Sequence, residues 1–199
     1  MQLMDDDDPG PEFPAMTNTG VYHEPTMSAK PDPDHKLYAA SATDAVATFS
    51  NIVLKGNFYN SMRGGQAPAG PFPGAPMVSN SKNLVLDFKN AKVTGVITSS
   101  TAKHAIATIT DAEYKYLGEV TNTPEAAINN GVVVSLDGKS SWVVTGDSYL
   151  TSLTLERGAI ISAPAGYKVT LLLGGQPKLF KAGTYLGKIV LRVTPLSAR

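Results

Sequence analysis

Ser148, in the run Gly146-Asp147-Ser148-Tyr149-Leu150, is the residue of this chain whose type and setting come nearest to a nucleophile. A serine hydroxyl attacks a carbonyl only when a general base takes its proton and fixed donors hold the oxyanion. Three histidines are available as bases: His23, His35 and His104. The competing reading of the same run is a turn at Gly146, with Asp147 and Ser148 bonded to its backbone.

The Gly-Asp-Ser block resembles that of lipolytic hydrolases, in which the serine is the nucleophile. Asp32-Pro33-Asp34-His35 has the aspartate-to-histidine spacing of that family, so the resemblance makes Asp32 and His35 the partners of Ser148. Two features depart from the pattern. The pair precedes the serine instead of following it near the C-terminus, and it lies in a proline-rich extension.

His104, between small residues in Thr101-Ala102-Lys103-His104-Ala105, reads as a surface or turn histidine. A cation held by His23, His35, Glu24, Asp32 and Asp34 would first have to order an extended segment, so no metal and no cofactor is expected. Carbohydrate chemistry needs paired acids at a defined separation. The acids Asp87, Asp111, Glu113, Glu119, Glu125, Asp137, Asp147 and Glu156 are scattered, and no pattern selects a pair. Tyr114, Tyr116, Tyr149, Tyr167 and Tyr185 are the residues that would stack on a sugar, against a plainer role in edge packing.

Any such residue must be positioned by strands. Short apolar runs follow one another between Gly131 and Val193, with Gly, Asp, Ser or Pro between them: Val132 to Leu136, Trp142 to Thr145, Leu150 to Leu155, Lys168 to Leu173 and Lys188 to Val193. In the last, Ile189, Leu191 and Val193 alternate with Lys188, Val190 and Arg192, the period of a half-buried strand. The pattern reaches back through Val93 to Thr98 and Leu84 to Phe88 to Ile52-Val53-Leu54. Gly56, Gly95, Gly118, Gly146 and Gly187 open similar Gly-then-apolar elements, 39, 23, 28 and 41 residues apart. Repeats on that scale predict a solenoid in which each unit buries its apolar face against its neighbours. The fold expected is all-β, a single-stranded right-handed parallel β-helix, with an antiparallel β-sandwich as the alternative.

The segments Gly131 to Leu136, Ser141 to Leu153 and Gly183 to Leu191 resemble the C-terminal rungs of large bacterial secreted or surface proteins that form right-handed parallel β-helices. Members of that group are usually longer, and the resemblance implies a terminal piece without leader or upstream coils. It brings no catalytic motif.

The domain reading is residues 1–14 as an expression-vector linker, 15–50 as an extended polar segment, and 51–199 as the β domain with a Gly/Pro-rich loop at 63–77. Residues 39–48 are read as coil. The extension is expected to cap one end of the coil and the excursion from Gly175 to Tyr185 the other, because open sheet edges template association. Self-association through coil ends follows where a cap fails.

Composition narrows the function. The chain has 199 residues, 42% of them hydrophobic and 17% charged, enough for one domain with a full core. With 17 basic and 17 acidic residues it lacks the footprint of a nucleic-acid binder. No apolar run approaches the roughly 18 residues of a membrane span. The first residues lack the basic-then-apolar pattern of a signal peptide. Absence of cysteine excludes disulfides and thiolate chemistry but leaves the compartment open. The function expected is a non-catalytic extracellular or cell-surface structural or adhesion-like module, whose partner would be a glycan or another surface protein. The alternatives are an esterase/lipase-type hydrolase using Ser148 and a carbohydrate-active β-helix protein.

Overall fold

The computed structural model of the chain describes residues 1–3, 21–23, 31–32, 34–62, 66–68, 77–79, 81–104, 108–110 and 120–196. Every regular element among them is a strand. In chain order the first ten are β1 (Gln2–Leu3), β2 (Val21–His23), β3 (Ala45–Ser50), β4 (Val53–Lys55), β5 (Phe58–Asn60), β6 (Gln66–Pro68), β7 (Met77–Ser79), β8 (Leu84–Lys89), β9 (Lys92–Gly95) and β10 (Ile97–His104). They continue as β11 (Thr108–Thr110), β12 (Val120–Pro124), β13 (Val132–Leu136), β14 (Ser141–Val144), β15 (Ser148–Leu155), β16 (Ile160–Ser162), β17 (Tyr167–Leu173), β18 (Gln176–Lys178) and β19 (Gly183–Pro195).

Alternation in β8 and β13 decides which way these strands face. Leu84, Leu86 and Phe88, and likewise Val132, Val134 and Leu136, are buried, while Val85, Asp87, Val133 and Ser135 between them are partly exposed. Parallel pairing with fixed register sets the buried residues side by side: Ala47, Leu86, Val134 and Leu153 in one row, Phe49, Phe88, Leu136 and Leu155 in the next. A second, wholly parallel sheet in the order β16-β14-β9-β4 carries the row Leu54, Val93, Trp142 and Ile161. A third has the order β1-β5-β10-β12 and sets Phe58 beside Ile97. The sheets meet in one core, where the rings of Phe49, Phe58 and Phe88 lie 5.5 to 6.2 Å apart, within the range of favourable aromatic contact. Trp142 is fully buried, and its indole N–H donates to the Gly95 carbonyl at 3.0 Å.

Turns between the sheets repeat as the strands do. Asn51 and Asn90 both take positive φ, 54° and 49°, and the Asn90 side chain donates to Asn51 Oδ1 at 2.8 Å. The Asn90 N–H donates in turn to the Asp137 carboxylate at 3.0 Å. A short polar side chain tolerates this left-handed backbone better than an apolar one. At Gly95, φ is 151° and a Cβ would collide with the Gly56 carbonyl, so the two turns can lie against each other only with a glycine at 95.

The expected fold needs correction beyond the all-β class. The seven-stranded sheet, in the order β18-β17-β19-β15-β13-β8-β3, is mixed: β3, β8, β13 and β15 run parallel, whereas β15, β19, β17 and β18 pair antiparallel. A single-stranded right-handed parallel β-helix over 51–199 is therefore not what forms. The antiparallel sandwich fails on the first half of the same sheet. The physical cause lies at one reversal. β17, entered through a turn at Gly166 (φ 83°) with the Tyr167 N–H donating to the Pro164 carbonyl, still runs in the sense of β15, because both are antiparallel to β19. Gly174 and Gly175, at φ 58° and 82°, then close a two-residue hairpin between β17 and β18. Lys188 to Val193, the cleanest alternation in the sequence, belongs to the thirteen-residue β19 and is antiparallel to both its neighbours.

Two further readings differ. Six residues from Ala45 form β3, although 39–48 reads as coil, because Ala47 and Phe49 reach the core. Within the Gly/Pro-rich 63–77, Gln66–Pro68 pairs antiparallel with Met77–Ser79. The bulk of the linker reading (residues 4–14), parts of the proposed cap (15–20, 24–30 and 33) and residues 111–119 lie outside the described residues. Gln2 and Leu3 pair parallel with Tyr59 and Asn60.

Candidate functional site

The three residues of the nucleophile reading are held in different places by different bonds. Ser148 opens β15 and is fully buried, and its hydroxyl donates to the Gly146 carbonyl at 3.2 Å. Asp147 accepts from the Val193 N–H at 2.9 Å and stands 3.5 Å from Arg192 Nε. Gly146-Asp147-Ser148 thus turns the chain into β15 and ties that turn to β19. The Tyr149 N–H donates to Thr98 Oγ1 at 2.9 Å, which fixes the same corner to β10.

Asp32 and His35 sit at the start of β8 instead. One turn joins them, with the His35 N–H donating to the Asp32 carbonyl at 3.3 Å. The Asp32 carboxylate accepts from Ser81 Oγ at 3.0 Å and from the Asp34 N–H at 3.0 Å, and the Asp32 N–H donates to Asn129 Oδ1 at 2.8 Å. His35 Nε2 lies 3.0 Å from Asn83 Oδ1. The Asn83 amide nitrogen is directed at the carbonyls of Lys36 and Ala39 and at Asp44 Oδ2, so Oδ1 is the acceptor and His35 is the donor.

Around this turn lies a layer of buried amides that pattern reading passed over. Asn60, Asn83, Asn129 and Asn130 are all fully buried. Asn60 Nδ2 donates to the carbonyls of Lys82 and Gly131, each at 2.8 Å, and its Oδ1 accepts from the Met62 N–H. Asn130 Nδ2 donates to the carbonyls of Asn60 and Ser100, and its Oδ1 accepts from the Ile128 N–H. These main-chain carbonyls lie in or beside strands, the Gly131 carbonyl accepting also from the Leu84 N–H at 2.9 Å, and a buried carbonyl left unpaired costs about 1–3 kcal/mol. A sequence signal existed in Asn83-Leu84-Val85-Leu86 and Asn130-Gly131-Val132-Val133-Val134, where an amide stands just ahead of an apolar strand.

The remaining candidates are dispersed. His23 pairs with Thr108 across β2 and β11, and His104 with Val120 across β10 and β12. Asp87 pairs with Lys89 at 3.0 Å, and Glu156 accepts from the Gly138 N–H. Asp137 accepts from Ser140 Oγ at 2.6 Å and from the Asn90 N–H, and these bonds hold its carboxyl below the usual carboxylate range. Tyr149, Tyr167 and Tyr185 stand at three levels of the large sheet, marked by Val190, Pro195 and Tyr185 along β19, too far apart for one stacking platform. Asp111, Glu113, Glu119, Tyr114 and Tyr116 lie outside the described residues. Among the described residues no three His, Asp or Glu groups converge as metal ligands, and no helix is long and apolar enough to cross a membrane.

Among the described residues an open groove of about 330 Å³ lies on the C-terminal hairpin, walled by Val169, Leu171, Pro177, Leu179 and Phe180. The Tyr185 hydroxyl holds the segment after β18: it accepts from the Lys181 N–H at 2.8 Å and lies within bonding distance of the carbonyls of Leu179 and Lys181. The groove holds no acid, base or nucleophile of the candidate set.

No protein-family model, no curated protein and no solved structure matches this chain.

Proposed function

We propose that the protein is a non-catalytic structural or adhesion-type β module that works at the cell surface or outside the cell. The observation that carries this reading is the engagement of Ser148, Asp32 and His35: each is bonded within its own turn or to a framework amide, and no bond links the serine to the pair. Acyl transfer needs the nucleophile, base and oxyanion donors to converge on one reacting atom. The balanced charge and the extended all-β surface support a binding or scaffold role, with a glycan or another surface protein as partner.

Hydrolysis of a short-chain chromogenic ester by the wild type, Ser148→Ala and His35→Ala tests the reading. All three are expected to match buffer. Turnover by the wild type that both substitutions abolish would establish the hydrolase instead. A glycan array probed with the intact chain then tests the binding half.

A further inference from the structure

The two edges of the large sheet are built differently. One ends in β18, three residues long, whose Pro177 has no N–H to offer and whose Lys178 is charged. Both features are ways in which natural sheets block edge pairing. The other ends in β3, six residues, Ala45-Val46-Ala47-Thr48-Phe49-Ser50, with no proline and no charge. Among the described residues β3 has β8 as its one ladder neighbour.

The direction of the free groups follows from the register. The Ala45 N–H donates to the Asn83 carbonyl and the Asn51 N–H to the Lys89 carbonyl, so the odd-numbered residues face β8. Val46, Thr48 and Ser50 therefore direct their N–H and C=O groups outward along the edge. Their side chains are exposed, Val46 by 61%, and the rim continues into Val53, exposed by 67%.

We propose that β3 is a self-association edge, and that its occupant is β3 of a second copy of this chain, antiparallel about a two-fold axis through Thr48. That axis sets Val46 opposite Ser50 and Thr48 opposite Thr48, with Ala47 and Phe49 paired on the core side. Residues that face each other then point to the same side of the sheet, as pairing requires. The three outward residues of each copy exchange about six main-chain hydrogen bonds. Threonine opposite threonine is a favourable cross-strand pair, and an uncharged edge meets its copy without repulsion. Because β18 blocks the far edge, growth closes at two copies instead of continuing as a fibre.

Sedimentation equilibrium of the full chain is expected to give a dimer that dissociates on dilution, and Thr48→Lys a monomer with an unchanged far-ultraviolet spectrum. The absence of cysteine provides a second reading that does not depend on the lysine variant folding. Under mild oxidation Thr48→Cys should cross-link to a dimer, since facing hydrogen-bonded residues stand at a Cα distance a disulfide can bridge. Lys178→Cys at the opposite edge should stay monomeric on a non-reducing gel. A wild-type monomer at every concentration, a Thr48→Lys dimer, or equal cross-linking of the two cysteine variants would each overturn the proposal.

Discussion

The parallel half of the large sheet and its antiparallel half use similar apolar residues to different effect. From β3 to β15, strands lie in parallel register, equivalent residues stand side by side, and Leu86, Phe88, Val134 and Leu153 are completely buried. From β15 to β18 neighbouring strands run antiparallel, and β17 and β19 keep most of their length partly or fully exposed around Leu171, Ile189 and Leu191. The change of mode falls inside β15. Its register against β19 shifts between Leu150 and Ser152, and Thr151 Oγ1 there accepts from the Val132 N–H and donates to the Val132 carbonyl, each at 3.1 Å. The comparison teaches that the sense of pairing follows the connections. Where the chain returns by way of other sheets it pairs parallel, and where Gly174-Gly175 folds β17 straight back as β18 it pairs antiparallel.

The largest difference between the halves should appear on core truncation. Phe88→Ala leaves a cavity among stacked rings and is expected to cost about 3–5 kcal/mol in urea denaturation. Val193→Ala, on the half-exposed β19, should cost well under half of that. Equal losses would erase the distinction. Asn130→Ala comes next, because it strips a donor from the buried carbonyls of Asn60 and Ser100, and a loss of about 1–3 kcal/mol is expected. An unchanged midpoint would mean that those carbonyls find other partners.

A smaller effect belongs to Asp137, which joins the stacked turns of the parallel half. Its depressed carboxyl contributes stability that is present above the unfolded-state value and lost as pH falls through the folded one. The gap in thermal midpoint between wild type and Asp137→Ala should therefore be widest near neutrality and narrow in acid. A gap that stays constant or widens in acid would place the contribution elsewhere.

Much of the parallel half was legible in the sequence. Leu84, Leu86 and Phe88, and Val132, Val134 and Leu136, alternate with polar or half-exposed neighbours, and the buried face is the one that alternation selects. Pairing sense was not legible for the C-terminal strands, since Ile189, Leu191 and Val193 alternate identically in either mode. The usable signal was the dipeptide Gly174-Gly175, a hairpin former that sits directly after Leu171-Leu172-Leu173. The amide layer escaped for another reason. Asn60 and Asn130 look like turn residues, and only the fold shows that strand ends from distant parts of the chain leave carbonyls facing them. Ser148 was legible as a turn or a nucleophile alike; in the structure it is buried and its hydroxyl donates to the Gly146 carbonyl.

Polar groups of the candidate set tie distant parts of the chain together, and the His35–Asn83 contact is the clearest instance. A double-mutant cycle of His35→Ala and Asn83→Ala, read by equilibrium denaturation, measures that contact directly. A coupling of about 0.5–1.5 kcal/mol is expected, the size of one hydrogen bond between facing side chains. Strictly additive losses, with His35→Ala as stable as the wild type, would contradict the claim and leave the histidine available for another role.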